Sequence, residues 1–140
     1  MSQEIITRFK VRHQSIIDSL DQVQMLARSY VMAKPKIREL SEKLLAHFTG
    51  QNDELFEQLR QCHQLDRQAL KMIEFLVHDL KDFKVRYLIF FEKHSGGMLD
   101  MSAKTFPKDL SDFARDIITR LKMEEEYLFP LLEPQFLNRK

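Results

Sequence analysis

The chain predicts an all-α fold, an antiparallel up-and-down four-helix bundle built from two repeated helical hairpins, and three observations carry that expectation. Apolar residues recur every three or four positions along most of the chain, the period of a helix with one buried face. The three glycines and four prolines gather at a few places instead of punctuating short strands. A set of marks is also written twice at a nearly constant offset. Phe9-Lys10-Val11-Arg12-His13 returns as Phe83-Lys84-Val85-Arg86-Tyr87, Pro35-Lys36 as Pro107-Lys108, and His47, Gln51 and Leu55-Phe56 as Arg120, Glu124 and Leu128-Phe129. One hairpin repeated gives two helix pairs closed on a shared interior.

The first helix is expected to bury Ile5, Phe9, His13, Ile16, Leu20 and Val23. The second carries Ile37, Leu40, Leu44, His47, Gln51 and Leu55 on one face, with Pro35 in its first turn, where a proline loses no helical hydrogen bond. The third presents Ala69, Ile73, Leu76, Leu80, Phe83, Tyr87 and Phe91, and Ser95-Gly96-Gly97 stops it. The fourth carries Leu110, Phe113, Ile117, Leu121, Glu124 and Leu128, with Pro107 in its first turn, after a long irregular connection reaching Phe106. The turn between helices two and three has no glycine or proline to mark it. It is placed between Gln58 and Asp66, where polar residues crowd and Asp66 suits a helix cap. The tail after Pro134 is expected to fray.

A length of 140 residues suits a single domain spanning 1–140. One cysteine, Cys62, excludes an internal disulfide framework, and no secretory leader pattern opens the chain, so a cytoplasmic location is expected. Apolar runs such as Tyr87 to Phe91 fall far short of the roughly 20 residues a bilayer span needs, so no membrane partner is expected. The 22 basic and 21 acidic residues are interspersed for a net charge of +1, which supplies no basic stripe for nucleic acid. The assembly is expected to be a monomer or a homodimer, a swapped dimer being the outcome if the second and third helices run together as one rod.

All four apolar stripes are interrupted by a polar residue: His13, then His47 and Gln51, then Tyr87, then Glu124. An unpaired carboxylate or imidazole in a core costs several kcal/mol, about enough to require that these groups meet one another, a water or a metal. Facing helices of a bundle are a common place for such a site. A histidine followed four residues later by a carboxylate puts both on one helical face, fit to bind metal. Here each copy keeps half of that pair: His47 is followed by Gln51, and Glu124 is preceded by Arg120.

The segments Leu45-Ala46-His47-Phe48 leading to Leu55-Phe56, and Glu124-Glu125-Glu126-Tyr127-Leu128-Phe129-Pro130, resemble the two halves of the hemerythrin-like, HHE cation-binding domain, and the likeness covers nearly the whole chain. It implies a four-helix bundle holding a non-haem di-iron centre that serves in oxygen, nitric oxide or iron sensing and handling. Carried over residue by residue, it implies His13, His47 and Glu124 as metal ligands, with Glu125 as a fallback. Gln51 departs from the bridging glutamate, Arg120 departs from a histidine, and Tyr87 stands where the repeat calls for the third-helix histidine.

A di-iron core carries at least four positive charges, which a neutral amide and an added guanidinium oppose. Two histidines and one carboxylate still form a set used for mononuclear non-haem iron, with Tyr87 as a phenolate ligand. The expectation is therefore a bundle with an incomplete di-iron site, binding at most one metal ion and acting in sensing or regulation. The alternative is a metal-free protein-interaction module. The segments around His47-Phe48 and Arg120 to Leu128 also resemble, over a shorter stretch, the Rsd/AlgQ regulators that sequester a sigma factor, which implies a sigma factor as partner. No nucleophile, phosphate loop or acid/base pair stands out, and Cys62 has no cationic activator beside it, so no enzyme activity is expected.

Overall fold

The computed structural model of the chain describes residues 2–49, 51–95 and 99–132, with side chains described over 4–29, 31–49, 55–94 and 104–132. These residues are all-helical, in five α-helices: α1 (Ser2–Met25), α2 (Tyr30–Phe48), α3 (Gln51–Cys62), α4 (Arg67–Ser95) and α5 (Leu99–Met123). The last helix passes into a π-helical turn, Glu124–Leu128, and then a 3-10 turn, Phe129–Leu132. α1 packs on α2, α2 on α4, α4 on α5 and α5 on α1, while α3 bridges α2 and α4. Among the described residues no helix is long and apolar enough to cross a membrane.

The apolar stripes are buried where the helical period puts them. Phe9, Ile16, Leu20 and Val23 meet Ile37, Leu40 and Leu44, Ile73, Leu76 and Leu80, and Leu110, Ile117 and Leu121 in one core. Near the start of α1, Ile6 is the buried residue and Ile5 only partly so. The aromatic rings add directional contacts: Phe48 meets Phe83 edge-on at 5.0 Å, and Phe90 stacks on Phe113 at 4.3 Å.

Three boundaries differ from the sequence expectation. The second helix does not run on to Leu55: it ends at Phe48, where Thr49 takes up extended backbone (φ −116°, ψ −176°) and its hydroxyl and N–H both turn back to the Leu45 carbonyl. Gln51 therefore begins a new helix and is not one turn beyond His47, and its side chain lies outside the described residues. The long connection before Phe106 is absent because α5 begins at Leu99. Pro107 consequently lies inside α5, and Pro35 lies inside α2 after a start at Tyr30 capped by the Ser29 hydroxyl, which accepts from the Met32 N–H at 3.4 Å. Each proline removes one ladder hydrogen bond that packing outweighs.

The turn between α3 and α4 falls inside the expected stretch. The Asp66 carboxylate accepts the Ala69 N–H at 3.1 Å, a cap on α4, so residues 51 to 94 do not form one rod. The glycine pair 96–97 and the tail after Pro134 lie outside the described residues.

Candidate metal centre

The helical period turns His13 on α1, His47 on α2 and Arg120 on α5 toward the core, where all are at most 2 % exposed. Glu124, fully buried, comes from the π turn. Pro130 offers no N–H to the carbonyl four residues earlier, so an α-helical ladder cannot continue through it. The wider π turn precedes it, with the Phe129 N–H reaching the Glu124 carbonyl. Each residue of such a turn advances by less angle than in an α-helix, and turns of this kind recur at functional sites. Here Glu124 and Glu125 both reach the same imidazole.

One carboxylate oxygen organises the cluster. Glu124 Oε1 accepts from His13 Nε2 at 2.8 Å and from His47 Nε2 at 2.8 Å. Its other oxygen accepts from Arg120 Nε at 3.3 Å. His13 is held at its second nitrogen too, Nδ1 donating to Glu125 Oε2 at 2.8 Å. The Arg120 guanidinium extends to α4, where Nη1 donates to the Leu76 carbonyl at 3.1 Å and to Asp79 Oδ2 at 3.0 Å. Phe129 stacks on His13 at 5.8 Å, and Phe9 stands edge-on to His47 at 5.3 Å.

The electrostatics follow from these contacts. Burial pushes the Glu124 pKa up, but hydrogen bonds from His13 and His47 and the nearby positive charge of Arg120 outweigh it and hold the carboxyl well below the usual range. Burial pulls the His13 pKa down, and its bonds to Glu124 and Glu125 reverse this, leaving it above the ordinary histidine value. Both ring nitrogens face carboxylate oxygens, an arrangement that favours the protonated imidazole when no metal is bound. Among the described residues, His47 Nδ1 is buried with no hydrogen-bond partner, as is Arg120 Nη2.

His13, His47 and Glu124 each offer a ligand atom, and these atoms lie within 4.8 Å of one another. Two observations fit a metal ion. Glu125 grips the outer nitrogen of His13, the arrangement that orients and strengthens a histidine ligand. With both imidazoles neutral, the carboxylates of Glu124, Glu125 and Asp79 outnumber the two guanidinium groups that act on Glu124, those of Arg120 and Arg12, leaving a net negative charge that favours a cation. Two observations weigh the other way: Arg120 already neutralises Glu124, and among the described residues His47 Nδ1 has no outer acceptor.

Of the residues singled out from sequence, His13, His47 and Glu124 come together. Tyr87 does not join them: its ring packs on Phe83 at 5.6 Å and Phe91 at 5.9 Å. It lies three turns beyond Leu76 on α4, about 16 Å of helical rise, and burial pushes its hydroxyl pKa up, away from phenolate. Arg120 is buried and anchored to the Leu76 carbonyl.

Asp79 carries no signal in the sequence, because an aspartate beside an apolar stripe resembles any solvated helix residue until the guanidinium opposite is known. Two histidines away from the cluster are also buried. His63 donates to the Leu131 carbonyl at 3.0 Å, and His94 meets Asp109 at 2.8 Å. Among the exposed residues of α4, Val85, Leu88 and Ile89 form an apolar strip more than half exposed.

Comparison with protein-family models, with curated proteins and with solved structures finds no match to this chain.

Proposed function

We propose that this chain is a hemerythrin-like bundle, two repeated hairpins in an antiparallel four-helix arrangement, that takes up a single divalent metal ion, iron in the first instance, and acts in sensing or regulation instead of turnover. The observation that carries this reading is the convergence of His13 Nε2, His47 Nε2 and Glu124 Oε1 from three separate parts of the fold. Two imidazoles and a carboxylate are a donor set for non-haem iron. His13, His47 and Glu124 hold the ion, Glu125 orients His13, and Tyr87 is left out of the set. The ion supplies a positive charge that depends on supply or oxidation state.

A signal has a path out of the site. Phe129 lies against His13, and Leu131 two residues on is tied to His63. A change at the imidazoles therefore bears directly on the C-terminal 3-10 turn.

Metal analysis of protein purified from iron-supplemented cells tests the reading. Near-stoichiometric metal in the wild type, lost in His47→Ala, supports it. Protein free of metal, with a melting temperature that iron and zinc leave unchanged, overturns it, since a ligand that binds only the native state must stabilise it.

The same result would favour a second reading, a metal-free cytoplasmic module that docks a protein such as a sigma factor. Two observations support it: Arg120 already supplies a positive charge to Glu124, and the Val85, Leu88 and Ile89 strip lacks cover among the described residues. Retention of a sigma factor by the wild type, and its loss in Leu88→Asp, would establish it.

A further inference from the structure

Two clefts in this molecule differ in how their charges are balanced. The larger, about 270 Å³, lies between α4 and α5, and its cations face aspartates: Arg86 is 3.3 Å from Asp116 and Lys93 is 2.9 Å from Asp109, which also meets the His94 imidazole at 2.8 Å. The smaller, about 220 Å³, lies between α1 and α2 and is lined by Arg12, Ser15, Ile16, Lys43, Ala46 and His47. Its lining holds two cations, an imidazole and a hydroxyl, and no carboxylate.

The cations of the smaller cleft are poorly compensated by the protein itself. Arg12 is half-buried over the Phe9 ring at 5.3 Å and makes no ion pair among the described residues. Lys43 donates weakly to the Ser15 carbonyl at 3.4 Å and stands 3.9 Å from Glu39. The buried His47 also lines the cleft, its Nε2 committed to Glu124 and its Nδ1 without a hydrogen-bond partner among the described residues.

We propose that the α1–α2 cleft binds a small oxyanion, a phosphate or a carboxylate, clamped between Arg12 and Lys43 with the Ser15 hydroxyl as a further donor. A guanidinium offers parallel N–H groups that match two oxygens of such an anion, and an ammonium supplies a point charge from the facing helix. The volume is below the range of about 300–1,000 Å³ typical for drug-sized ligands, so the ligand is small. An anion held this way ties α1 to α2 beside His13 and His47, bracing the helices that carry the two imidazoles. The site does not depend on metal uptake.

Isothermal titration of inorganic phosphate and, separately, of succinate into the metal-stripped protein at fixed ionic strength tests this. Saturable binding of either anion is expected, with phosphate-only or succinate-only binding assigning the source. A rise of about 2 °C or more in melting temperature is expected at ten times the dissociation constant. Arg12→Gln and Lys43→Gln should each weaken binding by about fivefold or more, whereas Arg8→Gln, an exposed cation outside the cleft, should change it by less than about twofold. Absence of saturable binding by both anions, a stabilisation matched by sodium chloride, or an equal loss in Arg8→Gln would overturn the proposal.

Discussion

Arg120 and Glu124 stand one helical turn apart, both buried, with Nε and Oε2 at 3.3 Å. Removing one partner of a buried pair leaves the other charge uncompensated, at a cost of about 3–5 kcal/mol. His13 and His47 remain on Glu124, so Arg120→Met is expected to lose about 3 kcal/mol, read from urea unfolding of the metal-free protein. Arg120→His replaces a fixed positive charge with a neutral donor one turn before Glu124. Metal affinity should then rise by about tenfold or more, measured by competition with a chromogenic chelator.

The pH dependence of the metal-free protein has a definite sign. His13 has a raised pKa in the fold, so its contribution is complete below its ordinary value near pH 6.5 and is lost as pH rises through the folded pKa. Glu124 is depressed, so its contribution is present above about pH 4.5 and is lost as pH falls below that. His94 opposes His13: burial lowers its pKa despite Asp109, and its contribution fades as pH falls below about 6.5. Urea unfolding at about pH 6 and pH 8 should show His13→Gln losing more stability relative to wild type at the lower pH. An equal loss at both values would mean that His13 is not charged in the fold.

Asp66→Ala removes the acceptor for the Ala69 N–H at the start of α4. The expected loss is about 1 kcal/mol, with Asp66→Ser retaining most of it, as seen in chemical denaturation midpoints.

Tyr87→Phe separates the two roles the sequence offers for this residue. With its ring packed against Phe83 and Phe91, the variant should keep its metal content and change stability by less than about 0.5 kcal/mol. A loss of bound metal would return the hydroxyl to the ligand set.

Much of the fold was legible because helical burial leaves a period in the sequence. Ile73, Leu76, Leu80 and Phe83 repeat at that period, and all four are buried. The break at Thr49 was not legible, since Phe48, Leu55 and Phe56 stay apolar across it and period alone cannot tell a helix that bends out of register from one that ends. The start of α5 was hidden for a related reason: proline marks a first turn by preference, yet Pro107 sits well inside the helix.

At the candidate site, the sequence by itself determined that His13, His47 and Glu124 face inward, because each occupies a core position in its stripe. Only the tertiary structure decided how those groups are satisfied. It turned the chain through a π turn so that two adjacent glutamates take the two nitrogens of His13, and it set Arg120 between Glu124 and Asp79. The physical reason is range: burial is dictated by each helix's own pattern, whereas charge pairing depends on distances between segments that are neighbours only after packing.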